Sequence, residues 1–257
     1  MRRSRVLEKL RAGKPVICVK TNLHDPKAVE IMGMIGFDCV WLCNEHVPTD
    51  WLMLENLIRA SKLHDMDTLV RVSRGSYSDY IKPLEADATG LMVPHIMNGD
   101  EARYVTRTTR FMPVGRRPVD GGNLDGRFCM TPVKEYMEHA NRERFVIVQI
   151  EDPEALDHVD DICSTPGIDM VFFGPGDFSH AVGKAGNAGD PEVVRARRLV
   201  AETCAKYGKW AGVPASPDNI DELKAEGFHF FASGADVIAI AEYFANIRKR
   251  YEDKGYL

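Results

Sequence analysis

No two cysteines in this chain have the close spacing of a zinc knuckle or a dithiol redox motif, and nowhere do about 18 apolar residues run together. The first absence leaves no sequence signal for a cysteine-built metal centre. The second excludes a membrane-spanning helix. The six cysteines, Cys18, Cys39, Cys43, Cys129, Cys163 and Cys204, are scattered, and three stand in or beside apolar strand-like runs. They read as reduced, mostly buried thiols. A basic surplus is missing too: 33 Lys and Arg face 38 Asp and Glu, for a formal net charge of -5. Nothing in that balance would track a phosphate backbone, so nucleic acid is not an expected partner. The opening MRRSRVLEKLRAGKPVI is basic but lacks the apolar core of an export signal. A soluble, cytoplasmic protein with no membrane partner is expected.

Low-complexity tracts, internal repeats and linkers are also absent, so residues 1–257 are expected to form one domain. With 44% of residues hydrophobic and 28% charged, the chain can enclose a large core. What recurs is an apolar, β-type run followed by a polar stretch of helical period. The runs are Val16 to Val19, Asp38 to Cys43, Thr68 to Val72, Gly90 to Val93, Phe145 to Ile150, Met170 to Phe173, Trp210 to Val213 and Phe228 to Ala232. Helix start signals stand between them: Asp25-Pro26 before Lys27 to Met34, Asn98 before Glu101 to Thr109, and Ser216-Pro217 before Asp221 to Glu226. Eight such units predict an α/β fold of the (β/α)8 TIM-barrel type, with a doubly wound open sheet as the alternative. The fourth-to-fifth connection, which contains Gly115 to Phe128, is long enough to be a functional loop.

Barrel enzymes carry their chemistry just past the C-terminal ends of the strands. At those positions stand Glu45-His46, Arg71, Glu151 and Gly174-Pro175-Gly176-Asp177. Glu151 and Asp177 follow adjacent buried strands and should face one another across the mouth. Two hard oxygen ligands without His or paired Cys suit Mg²⁺ or Mn²⁺. Glycines in the GPGD turn let backbone N–H groups approach a small carboxylate. His46 has the chemistry of a general base, and Arg71 that of an oxyanion stabiliser. The bland readings are a strand-end histidine for His46 and an ion pair with Glu45 for Arg71. For His95 and His180, which also follow strand ends, core or surface roles are the simpler reading.

The segments WLCNEH, LVRVSRG, GLMVPHIMNGDEAR, VIVQIED and MVFFGPGDFS, in this order and spacing, resemble the class II pyruvate aldolases of the HpcH/HpaI family. That family includes aldolases for 4-hydroxy-2-oxoheptanedioate and 2-dehydro-3-deoxyglucarate. The likeness runs from about Val16 to Ala239 and implies a phosphoenolpyruvate/pyruvate-type TIM barrel, assembled as a homohexamer whose last helix is exchanged between subunits. It implies a divalent metal on Glu151 and Asp177, with Mg²⁺ or Mn²⁺ expected and Co²⁺ as a further candidate. It assigns enolate stabilisation to Arg71 and the base, or its partner, to His46. Gln149 matches the Gln before the family's metal Glu, and the backbone of Gly176 and Asp177 is placed at the pyruvyl carboxylate. The implied reaction is reversible cleavage of a 4-hydroxy-2-oxo acid, a 2-oxo-3-deoxy sugar acid or a hydroxy-oxo diacid, to pyruvate and an aldehyde.

Two departures bear on the aldehyde half. Cys43 stands where the closest members have Asp, and the glycine-rich stretch is recognisable only at Gly115 and Arg117. The alternatives are a malyl-CoA or citramalyl-CoA lyase, a Schiff-base mechanism on Lys20, and a non-catalytic binder of a metal–oxoacid complex. An apolar spacing of Ile238, Ala241, Tyr243, Phe244 and Ile247 in the terminal helix agrees with the implied oligomer.

Overall fold

Pairing between the last strand and the first decides the architecture. In a computed structural model describing residues 1–257, eight parallel strands close in chain order. They are β1 (Val16–Thr21), β2 (Cys39–Cys43), β3 (Asp67–Arg71), β4 (Gly90–Val93), β5 (Phe145–Ile150), β6 (Met170–Phe173), β7 (Trp210–Pro214) and β8 (Phe228–Ala235). Val16 to Lys20 of β1 pair with Phe230 to Ala235 of β8, so the sheet has no free edge and the doubly wound alternative is excluded.

The first half of the chain carries α1 (Arg5–Arg11), α2 (Pro26–Ile35), α3 (Trp51–Lys62), α4 (Tyr77–Glu85), α5 (Gly99–Thr109) and α6 (Val133–Glu143). The second half carries α7 (Val159–Ser164), α8 (Pro175–Ala181), α9 (Pro191–Lys206), α10 (Ile220–Ala225) and α11 (Asp236–Glu252). Side-chain caps fix several starts. Asp25 accepts from Lys27 N at 2.8 Å and Asn98 from Glu101 N at 3.0 Å. Proline opens α2, α8 and α9, where a missing N–H costs nothing. The start signal at Ser216-Pro217 was set too early: the N-cap of α10 is Asn219, whose side chain instead accepts from Ser216 N at 2.7 Å and closes a turn.

Alternation along the strands builds two apolar layers. One, with Val40, Val70, Leu91, Val148, Val171 and Phe231, fills the space between barrel and helices. The other fills the barrel itself with Cys18, Trp41, Met92, Phe145, Phe172 and Phe230. At Gly90 a Cβ would lie 2.0 Å from the Phe145 ring, so this strand gives up a side chain for the large neighbour. Below, α1 plugs the barrel with Val6, Leu7 and Leu10, anchored by Ser4 Oγ on the buried Asp67 at 2.7 Å. The mouth at the opposite end is the open one. No helix is long and apolar enough to cross a membrane.

The long connection after α5 is tied down at the base. Arg117 donates to Asp125 at 2.7 Å, Tyr136 Oη donates to the same oxygen at 2.7 Å, and the guanidinium lies 4.8 Å from the Phe111 ring. Asp125 N reaches the Glu85 carbonyl at 3.3 Å, close to the start of β4. Arg117 therefore serves packing here. Burial pushes the Asp125 carboxyl above its ordinary range despite the guanidinium beside it. Arg117→Met should leave that carboxylate buried without its cation and lower stability by about 3–5 kcal/mol. The urea midpoint measures this; an unchanged midpoint would show that the pair contributes nothing.

Candidate active site

Arg71 ends β3 on an inward-facing position, two residues beyond Leu69, and its guanidinium is buried just under the mouth. An isolated charge there would be costly, and four neighbours offset that cost. Glu45 Oε2 lies 2.9 Å from Nε, Gln149 Oε1 accepts from Nη1 at 3.5 Å, and the Cys43 thiol lies 3.1 Å from Nη2. The indole of Trp41 supplies a face 4.8 Å from Cζ. Nε of Arg71 and Oε2 of Glu45 are thus paired with each other by charge in the buried neck, without the alignment of a hydrogen bond.

Gln149 carries the arrangement from Arg71 to the acids. Its Oε1 is on the guanidinium and its Nε2 donates to Glu151 Oε2. The other Glu151 oxygen accepts from the backbone of His95 at 3.0 Å. Burial, reinforced by the charge of Asp177, outweighs His95 and Arg71 and pushes the Glu151 carboxyl up to about 7. Asp177 stands in the first turn of α8, exposed at the rim. Between the two acids, Gly174 follows β6 with no side chain. A Cβ there would lie 2.7 Å from Glu151 Oε2 and 2.8 Å from Gln149 Nε2.

His46 is placed differently from what its sequence position suggests. Its side chain is 59% exposed, and its one ionic neighbour is Glu45, 3.5 Å away. His95 is the histidine built into the mouth, which corrects its assignment to a core or surface role. Its backbone is left-handed, with φ 51°. Nδ1 lies 2.8 Å from Asp152 Oδ2, while Nε2 is 3.5 Å from Glu151 and 4.0 Å from Glu45. Burial works to lower its pKa, but the Asp152 hydrogen bond and the charges of Glu151, Asp152 and Glu45 raise it above the ordinary histidine value. His180 is exposed on α8 and takes no part in this cluster.

No group of three or more His, Cys, Asp or Glu side chains converges into an all-protein metal cage. The donor set is instead two carboxylates at an open mouth, one buried and one at the rim. That fits a hard cation which keeps water or ligand oxygens in its remaining positions, as Mg²⁺ does. The cradle without a Cβ at Gly174 leaves space beside Glu151 for such a ligand.

A closed parallel barrel with its acids and its buried arginine at the C-terminal mouth defines a barrel enzyme. The chain belongs to the HpcH/HpaI aldolase/citrate lyase family, whose model matches residues 19–242. It is thereby a lyase. The hydroxypyruvate/pyruvate aldolase of Pseudomonas aeruginosa is 30% identical over 250 residues, covering 97% of this chain and 93% of that one. The 4-hydroxy-2-oxo-heptane-1,7-dioate aldolase of Escherichia coli is 30% identical over 243 residues, covering 94% and 92%. Among solved structures, an HpcH/HpaI aldolase from Desulfitobacterium hafniense superposes with a TM-score of 0.91 at 26% identity, covering 96% of each chain.

Gly174→Ala tests how closely the mouth is assembled. The added carbon must displace Gln149 or Glu151, and a shift of about 1 Å in such a group costs on the order of 10²-fold in rate. Turnover should fall by that order with the melting temperature nearly unchanged; full activity would show that Gln149 and Glu151 need not sit where they do.

Proposed function

We propose that this protein is a divalent-metal-dependent aldolase that reversibly cleaves a 4-hydroxy-2-oxo acid to pyruvate and an aldehyde. One observation carries the reading: a single glutamine joins the buried Arg71 to Glu151, whose carboxyl feels the charge of Asp177 at the same mouth. One relative named as a hydroxypyruvate/pyruvate aldolase and another named as a 4-hydroxy-2-oxo-heptane-1,7-dioate aldolase support it. Glu151 and Asp177 are the proposed ligands of Mg²⁺ or Mn²⁺. When bound, the cation would supply a Lewis acid that stabilises negative charge developing on the three-carbon fragment. The backbone of Gly176 and Asp177 is assigned to the substrate carboxylate.

His46 takes the proton of the 4-hydroxyl. The C3–C4 bond then breaks, its electron pair staying on the three-carbon fragment as an enolate while C4 leaves as an aldehyde. Arg71 faces the developing enolate charge with donors fixed beforehand by Glu45 and Trp41. A proton from water completes pyruvate at C3, and the proton taken by His46 returns to the solvent.

Pyruvate release, coupled to lactate dehydrogenase, tests the reading across 4-hydroxy-2-oxo acids with and without EDTA. Turnover that survives the chelator would overturn it. Two variants separate the roles. Glu151→Gln should lose both retro-aldol cleavage and oxaloacetate decarboxylation, since both need the enolate sink. His46→Ala should lose cleavage by roughly 10²- to 10⁴-fold yet keep most decarboxylation, which removes no hydroxyl proton. If His95→Ala gives that split instead, the base is the histidine held by Asp152.

The same reading includes a homo-oligomer, with a hexamer as the proposed form. Every residue of α11 except Asp236 and Ile247 is exposed, including Val237, Ile238, Ile240, Tyr243 and Phe244. Beside it runs an apolar groove lined by Val19, Ile31, Met32, Ile35 and Phe37. A monomer would leave both wet, which is unusual for a patch of this kind. Light scattering at micromolar concentration should give a multiple of the 28.8 kDa chain mass, and Phe244→Asp should reduce it. A monomeric mass for the wild-type protein would sink this part of the proposal.

A further inference from the structure

The first strand aims a lysine into the mouth. Val16 and Cys18 belong to the barrel interior, and alternation puts Lys20 on the same inward side, nearer the opening. Its register partner on β2 is Trp41, and its Nζ lies 5.7 Å from the centre of that indole. Arg71 occupies the same ring, with Cζ at 4.8 Å. Two cations therefore share one aromatic wall and stand within about 11 Å of each other.

Their counter-charges are unequal. Arg71 has Glu45 at 2.9 Å. Lys20 has no carboxylate in ion-pair contact, although it is half-buried. The candidates are otherwise engaged. Cys43, the next inward position on β2 after Trp41, offers a thiol and faces Arg71. Asp236, at the β8 end of the seam, accepts from Thr21 Oγ1 and from the backbone of Asn22 and Leu23. Acids at Glu151 and Asp152 face His95. Cation–π contact steadies the ammonium without neutralising it. Folding has thus left one uncompensated positive charge at the mouth, and an anionic group is what such a charge selects.

We infer that Lys20 binds a carboxylate at the far end of the aldehyde half. The preferred acceptor is then an aldehyde carrying its own carboxylate, and the substrate cleaved is a hydroxy-oxo diacid instead of a sugar acid with a neutral tail. This rests on the pyruvate-aldolase reading above. In it, Arg71 serves the enolate and Lys20 the opposite end, with the face of Trp41 as the floor between them. Lys20 is a specificity residue and takes no part in bond making.

The test is condensation of pyruvate with succinate semialdehyde, with butanal as its neutral counterpart and with glyceraldehyde 3-phosphate as the phosphate arm. Wild-type enzyme should prefer succinate semialdehyde. In Lys20→Met the ratio of kcat/KM for succinate semialdehyde over butanal should fall about 10- to 100-fold, the range of a charged hydrogen bond, with the change carried by KM. Lys20→Arg should keep most of the ratio. An unchanged ratio in Lys20→Met, or a wild-type preference for butanal, would overturn the inference. So would a Lys20-dependent preference for the phosphate, or a pyruvate adduct on Lys20 after borohydride, which makes the lysine a nucleophile. Exchange of the pyruvate methyl protons with D₂O, followed by NMR without any aldehyde, keeps the two readings apart. Its absence in wild-type enzyme sinks the aldolase reading; its presence with an unchanged ratio sinks only the role of Lys20.

Discussion

A guanidinium buried in the neck of the barrel sets the conditions that the rest of the mouth obeys. Arg71 cannot be left alone in that position, because removing a charge from water costs several kcal/mol unless partners replace the water. Glu45 supplies the opposite charge, Trp41 a polarisable face, and Gln149 and Cys43 the remaining contacts. Each partner is thereby oriented. Since Gln149 turns its oxygen to Arg71, its amide nitrogen must point to Glu151, and Glu45, drawn inward, leaves His46 at the rim as its outer neighbour. The absence of a side chain at Gly174 is what lets the last link close.

The barrel was legible because strand cores announce themselves by apolar runs, and every run predicted from sequence is a strand. Strand ends were legible only in part. Those of β4, β5 and β6 agree at both ends, but the other five strands differ by one to three residues, since pairing register and not apolar content decides where a strand stops: β1 continues through Lys20 and Thr21, and β8 through Ala235. That difference matters for Lys20. Read as a residue after the strand, it has no defined direction; within the strand, alternation aims it inward.

At the site, Glu45, Arg71 and Glu151 were readable from position, because each falls at or just past the C-terminal end of a strand, whereas Gln149, inside β5, came only from the family resemblance. His95 was not readable, although it follows β4. Its place depends on a left-handed backbone and on Asp152 from the next strand end, and neither leaves a trace in a local pattern. The length of the connection after α5 suggested a functional loop, but its Arg117 is held at the base with Asp125 and Tyr136. Loop length alone does not distinguish a lid from a strap.

The charges of the mouth divide into two groups. On one side Glu151 and Asp152 gather around His95, and Asp177 acts on Glu151; there burial, reinforced by Asp177, raises the Glu151 carboxyl while Asp152 and Glu151 raise the imidazole. Carboxylates crowded in this way favour a cation or a proton between them. On the other side the balance reverses, because Trp41 carries two cations and Glu45 answers only one. An aspartate in place of Cys43 would add an acid against Arg71 and lower the positive potential that Lys20 also contributes to. The thiol therefore makes the two ends of the site more unlike: one end gathers a cation, and the other is left to be neutralised by whatever the substrate brings. A molecule that chelates at one end and carries a negative charge at the other satisfies both with no change in the protein.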